Sequence, residues 1–98
     1  MPTFISLLNY TEQGISTVES SPARVKAAKD LVEDLGGEYK EFFLTLGEYD
    51  GIAIIEFPDD EAAAEYALRI GKGGNARTQT LKAFTEEEFE DLAAALSE

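Results

Sequence analysis

Leu44-Thr45-Leu46-Gly47-Glu48-Tyr49-Asp50-Gly51-Ile52-Ala53-Ile54-Ile55-Glu56-Phe57 is the stretch that decides the fold. Two apolar runs, rich in β-branched and aromatic residues, flank the short break Gly47-Glu48-Tyr49-Asp50-Gly51. Runs of that composition favour strands, and a short glycine-containing loop between them predicts an antiparallel hairpin. Glycine reaches the positive φ values of a tight reversal, and Asp bonds its own backbone there. The second strand of the chain is thus expected over Glu38 to Leu46 and the third over Ile52 to Phe57, stopped by Pro58. Phe42, Leu44 and Leu46 are expected on one face of the second strand, with Tyr39, Phe43 and Thr45 on the other.

Upstream, Thr3 to Tyr10 reads as a first strand. Thr11 is placed to cap a short helical turn burying Ile15 and Val18, weakened by Gly14. Ser21 then suits an N-cap and Pro22 the first helical position. Val25, Ala28, Val32 and Leu35 recur on one face of that helix, with Leu31 beside them, and Gly36-Gly37 ends it. Downstream, Asp59 or Asp60 opens a helix with Ala63, Tyr66, Ala67 and Ile70 in a stripe. The glycine-rich break Gly71 to Gly74 precedes a Thr-rich strand from Asn75 to Phe84. Thr85-Glu86-Glu87-Glu88 is a capping box for a last helix, with Phe84 and Phe89 at the staple positions and an apolar face of Phe89, Leu92, Ala93 and Leu96.

The order β-α-β-β-α-β plus a terminal helix is the split βαβ, ferredoxin-like pattern, an α+β single domain spanning residues 1–98. The strands are apolar on both faces: Phe4 and Leu8 against Ile5 and Leu7, Ile52 and Ile54 against Ala53 and Ile55. Helices in a chain of 98 residues cover only one face. The other would exceed the apolar patch a monomer normally exposes. The same face of a second copy is the simplest cover, which predicts a two-fold homodimer. The alternative is that the terminal helix or a loop folds over it.

Composition narrows the function. The chain has no cysteine and no histidine, so disulfides, thiolate chemistry and Ser-His-Asp or Cys-His catalysis are excluded. A zinc site built from carboxylates alone is unusual, and the acid runs Asp59-Asp60 and Glu86-Glu87-Glu88 read as helix starts, so no metal or cofactor is expected. A net charge of −12, from 20 acids and 8 bases, opposes nucleic acid and anionic membranes. It suits a soluble surface, or a high-salt habitat where an acidic surface holds water. No apolar run is long enough to span a bilayer, and no basic leader is apparent, so a cytoplasmic protein is expected.

Several stretches together resemble the GYD domain family: Asn9-Tyr10-Thr11-Glu12-Gln13-Gly14, Ser21-Pro22-Ala23-Arg24, Leu35-Gly36-Gly37, Gly47-Glu48-Tyr49-Asp50, and Gly74 to Thr80 followed by Ala83-Phe84-Thr85. The resemblance covers nearly the whole chain in order. It implies the dimeric α/β-barrel superfamily, whose members pair two ferredoxin-like sheets face to face. Superfamily relatives include cofactor-free oxygenases, isomerases and ligand-binding modules, and a shared fold does not choose among them.

Three groups of residues are candidates for chemistry. Tyr49 and Asp50 at the hairpin tip form a possible acid and base, or simply turn chemistry. Arg69, Lys72, Arg77 and Lys82 form an island of positive charge around a glycine-rich break, suited to an anion or to pairing with neighbouring acids. The first and fourth strands should lie side by side and antiparallel, so Asn9 and Tyr10 should meet Asn75 and Arg77. A pocket of Asn9, Tyr10, Asn75 and Arg77 is therefore the expected ligand site, with a polar capped loop as the alternative. The expected function is a homodimeric module binding an anionic or polar-aromatic small molecule. The alternatives are a cofactor-independent enzyme using Tyr49 and Asp50 or Tyr10, and a structural or regulatory protein-interaction module.

Overall fold

The computed structural model describes residues 1–97. Four strands, β1 (Thr3–Tyr10), β2 (Glu38–Leu44), β3 (Gly51–Glu56) and β4 (Ala76–Ala83), form one sheet in the order β2-β3-β1-β4. All three pairings are antiparallel. The helices are α1 (Glu12–Ser16), α2 (Ser21–Asp34), α3 (Asp60–Lys72) and α4 (Glu86–Ala95), with a 3-10 turn over Val18–Ser20. This is the ferredoxin-like α+β fold with a C-terminal helix added.

The register sets the two faces of the sheet. Phe4 sits opposite Ile55, and Ser6 opposite Ala53, and their side chains lie under α2 and α3. Phe57 and Val32 complete the core with Ala28, Ala62, Ala63 and Tyr66. Phe57 packs edge-on against Phe4 at 5.6 Å and at a tilt on Tyr66 at 5.5 Å. The small alanines let the helices approach the sheet closely. The expected faces of α2 and α3 are the buried ones.

Local chemistry explains the element ends. Asp59 caps α3 by accepting from Ala62 N at 2.8 Å. Thr11 caps α1 by accepting from Gly14 N at 3.1 Å. Gly36, Gly47 and Gly74 carry positive φ, which ends α2, turns the hairpin and leads into β4.

Four local expectations differ from what forms. Ile15 and Val18 are exposed, because the side of α1 pressed inward is Gly14, whose missing Cβ lets it close on the Asn75 backbone. Ser20, not Ser21, holds the cap position of α2, without a side-chain cap bond, because the 3-10 turn runs straight into the helix and leaves Ser21 with helical backbone; the Ser21 hydroxyl is bonded to the Tyr10 hydroxyl at 2.8 Å. β2 stops at Leu44 and β4 at Ala83. A register shift between Tyr39 and Glu41 breaks strict alternation in β2, so Tyr39 and Phe42 both pack against the core.

The opposite face of the sheet carries Ile5, Leu7, Phe43, Ile52, Ile54 and Leu81, all at least partly exposed. α4 does not cover it. Every residue of α4 is exposed, and the molecule is drawn out to 54 × 31 × 17 Å. Phe84, Phe89, Leu92 and Leu96 therefore face solvent.

Candidate functional site

α3 lies over β4 and α2 over β2, and the two helices touch each other only narrowly. The gap between them, floored by the sheet, is a cleft of about 240 Å³. Its walls are mostly apolar, from Leu8, Val25, Leu31, Phe42 and Ile70. Polar groups enter from Tyr10, Ser21, Arg24, Tyr39, Tyr66, Arg69 and Asn75. An apolar hollow of about 150 Å³ accommodates benzene, so this volume suits a ring with a short chain. A shallower apolar groove over Val18, Pro22, Phe42 and Leu44 adjoins it beside Tyr10.

Each polar group has a physical setting. The Tyr39 and Tyr66 phenols are neighbours in the cleft wall. Burial pushes the Tyr39 phenol up to about 12, and burial together with the neighbouring Tyr39 raises Tyr66 as well. Both stay neutral at physiological pH, so they act as hydrogen-bonding walls rather than as charges. Arg69 pairs with Glu65 at 2.9 Å one helical turn away.

The antiparallel β1–β4 register places Asn9 opposite Arg77 and Tyr10 opposite Ala76, as expected. It also divides the anticipated pocket. Tyr10 and Asn75 line the cleft. Asn9 and Arg77 leave their strands on the other face of the sheet, because successive strand residues alternate, and neither lines the cleft, although the Arg77 guanidinium comes back round the edge strand beside Gly71 of α3. The Asn9 amide donates to Glu48 O at 2.7 Å. Asn75 accepts from the Gln13 amide at 3.1 Å through its side chain and from Thr11 N at 3.1 Å through its carbonyl.

Tyr49 and Asp50 are turned to other work. The Tyr49 hydroxyl donates to Gln79 Oε1 at 2.9 Å, and Asp50 Oδ2 accepts from Tyr10 N at 2.9 Å. Together with the bond from Asp50 N to Leu8 O at 2.8 Å, the carboxylate fastens the hairpin to the end of β1. Of the basic island, Arg69 alone lines the cleft, and Lys82 stacks 4.4 Å from the Phe84 ring. No cluster of three or more metal-ligating side chains occurs among the described residues.

Sequence reasoning passed over Arg24, Tyr39 and Tyr66 as cleft residues. Arg24 stood only in a motif, Tyr39 only on a strand face and Tyr66 only in a helix stripe. The signal available was an arginine beginning an amphipathic helix in a strongly acidic chain.

The GYD domain model matches residues 4–93, and the chain belongs to that family. A relative from Thermus thermophilus, called a glutamine synthetase and cystathionine beta-lyase binding protein, is 33% identical over 84 residues, spanning 85% of this chain and 88% of the relative. The crystal structure of a Thermus thermophilus protein superposes with a TM-score of 0.54 at 24% identity, covering 87% of this chain and 95% of that one. That likeness establishes the fold.

Proposed function

We propose that this GYD protein is a homodimeric binding module that takes a small molecule into the cleft between α2, α3 and the sheet. The cleft itself carries the reading. It is concave, mostly apolar and supplied with a few convergent polar groups, the usual make-up of a ligand site. Tyr10 and Asn75 are the ligand-facing members of the anticipated set. The open apolar face of the sheet supports pairing with a second copy through Ile5, Leu7, Ile52 and Ile54. Catalysis by Tyr49 and Asp50 ranks behind binding, since both side chains are engaged in holding the hairpin. Native mass spectrometry on protein from its own host tests the proposal. The expected species is twice the 10.7 kDa chain plus one small molecule per subunit. A bare monomer overturns it.

A second reading is favoured by α4. It stands clear of the body with an apolar stripe of Phe89, Leu92 and Leu96, and with Glu86, Glu87, Glu88, Glu90 and Asp91 around it. An acidic amphipathic helix of this kind suits an apolar groove with a basic rim on another protein. The name of the Thermus relative supports a protein partner. Titration with glutamine synthetase of the same host should show binding that is lost on truncation after Ala83. Equal binding by the truncated protein removes α4 from the account.

A further inference from the structure

The cleft wall contains a cation without an anion. Arg24 stands in the first turn of α2 and lines the cleft. Its Nη2 donates to Gly14 O at 3.3 Å, to Thr17 Oγ1 at 3.1 Å and to Thr17 O, so one edge of the guanidinium is held by α1 and the turn after it. Its Nη1 is shut off from solvent and has no acceptor among the described residues. Buried donors are almost always paired, and a charged one left over calls for an explanation.

The composition sharpens that observation. The chain carries 20 carboxylates, yet the ion pairs found among the described residues are Lys40–Glu38 and Arg69–Glu65, both at the surface. In so acidic a chain, the least exposed of the three guanidiniums forms no ion pair among the described residues. A guanidinium edge matches a carboxylate in geometry and charge better than any neutral acceptor. The hydroxyls of Tyr10 and Ser21 share a single hydrogen bond at 2.8 Å, so one hydroxyl proton remains free for a further oxygen. The net charge of −12 repels polyanions at long range, which disfavours nucleotides and polyphosphates against a ligand of single charge.

We infer that the cleft binds a small monocarboxylic acid with an aromatic or short aliphatic body, its carboxylate at Arg24 and its body against Val25, Leu31, Phe42, Tyr66 and Ile70. This rests on the reading of the cleft as a ligand site. Because Nη1 is covered in the closed wall, binding is coupled to a small parting of α2 from the turn before it.

The test uses a matched pair of probes, 3-phenylpropionate and its neutral counterpart 3-phenyl-1-propanol, titrated into the full chain and followed by NMR. The chain has three arginines, so the side-chain Nε–Hε signals are assigned by their loss in Arg69→Gln and Arg77→Gln. The acid should bind about tenfold more tightly than the alcohol, shift the Arg24 signal, and lose that preference in Arg24→Gln while the alcohol binds as before. Should Arg24→Gln fail to fold, the Arg24 shift in the native protein decides. Equal binding of the two probes, or a shift at Arg69 or Arg77 in place of Arg24, overturns the inference and leaves the cleft as a neutral-ligand site. If neither probe moves the cleft amides at millimolar concentration, the inference and the reading of the cleft fall together.

Discussion

At the residue scale, single side chains hold the loops around the cleft. Asp50 is the clearest case, since its carboxylate takes the part-buried Tyr10 N–H. Asp50→Ala leaves that donor unpaired and should cost about 1–3 kcal/mol, measured by urea unfolding. Gly14 is a steric requirement. A Cβ there would sit 1.8 Å from the Asn75 carbonyl oxygen, where the backbone cannot easily yield. Gly14→Ala should therefore lose about 3 kcal/mol, seen as a lower Tm, and should disturb Thr11 and Asn75 together. Tyr39 makes stability pH-dependent. Its phenol stays protonated in the folded chain up to about 12, whereas the unfolded chain gives up that proton near its usual value of about 10. The unfolded state thus binds fewer protons between those values, so stability is full below about pH 10 and falls as pH rises towards 12. Urea midpoints across that range check the sign. Tyr49 and Asp50 were visible in the sequence as a pair, but their chemistry was not. Turn residues and acid–base pairs use the same side chains, and only the neighbours Gln79 and Tyr10 separate the two uses.

At the element scale, α4 is the outlier. Its capping box is complete, with Thr85 accepting from Glu88 N at 3.2 Å and Glu88 from Thr85 N at 2.8 Å. The bond from Thr85 N holds the Glu88 carboxyl below the usual range, so the cap is present at neutral pH and loosens as pH falls through that lowered value. Thr85→Ala should weaken α4 by about 1 kcal/mol, read as lost helicity in circular dichroism, while the melting of the body stays put. A lowered body Tm would show that α4 is packed on a surface in solution. The helix was legible from its cap and stripe. Where it lies was not, because a stripe states that a face seeks cover without stating which surface supplies it. The β2 irregularity is similar: alternation predicts Tyr39 and Phe42 on opposite faces, and the register shift puts both inward.

At the scale of the whole molecule, charge and the open sheet face dominate. The excess of acid is barely offset by the two surface ion pairs found among the described residues. Salt screens that self-repulsion, so Tm should rise from low salt to molar potassium chloride, and a flat response counts against repulsion as a destabilising force. For the open face, light scattering should give twice the chain mass, and Ile54→Lys should return it to one chain. If Ile54→Lys remains paired, the interface lies elsewhere.

The sequence by itself determined the order of elements, the split βαβ topology, the caps at Thr11 and Thr85, a cap at Asp59 or Asp60, and the surplus of apolar faces. These follow from local periodicity and backbone preference, which a linear reading can detect. The tertiary structure alone decided that Tyr10 and Asn75 share a cleft while Asn9 and Arg77 lie outside it. It alone decided that Asp50 is tied to Tyr10, and that the Nη1 of Arg24 is shut off from solvent beside the cleft with no acceptor among the described residues. Those outcomes depend on which faces meet across a sheet and on how far two helices stand apart, and both are set by packing between distant parts of the chain.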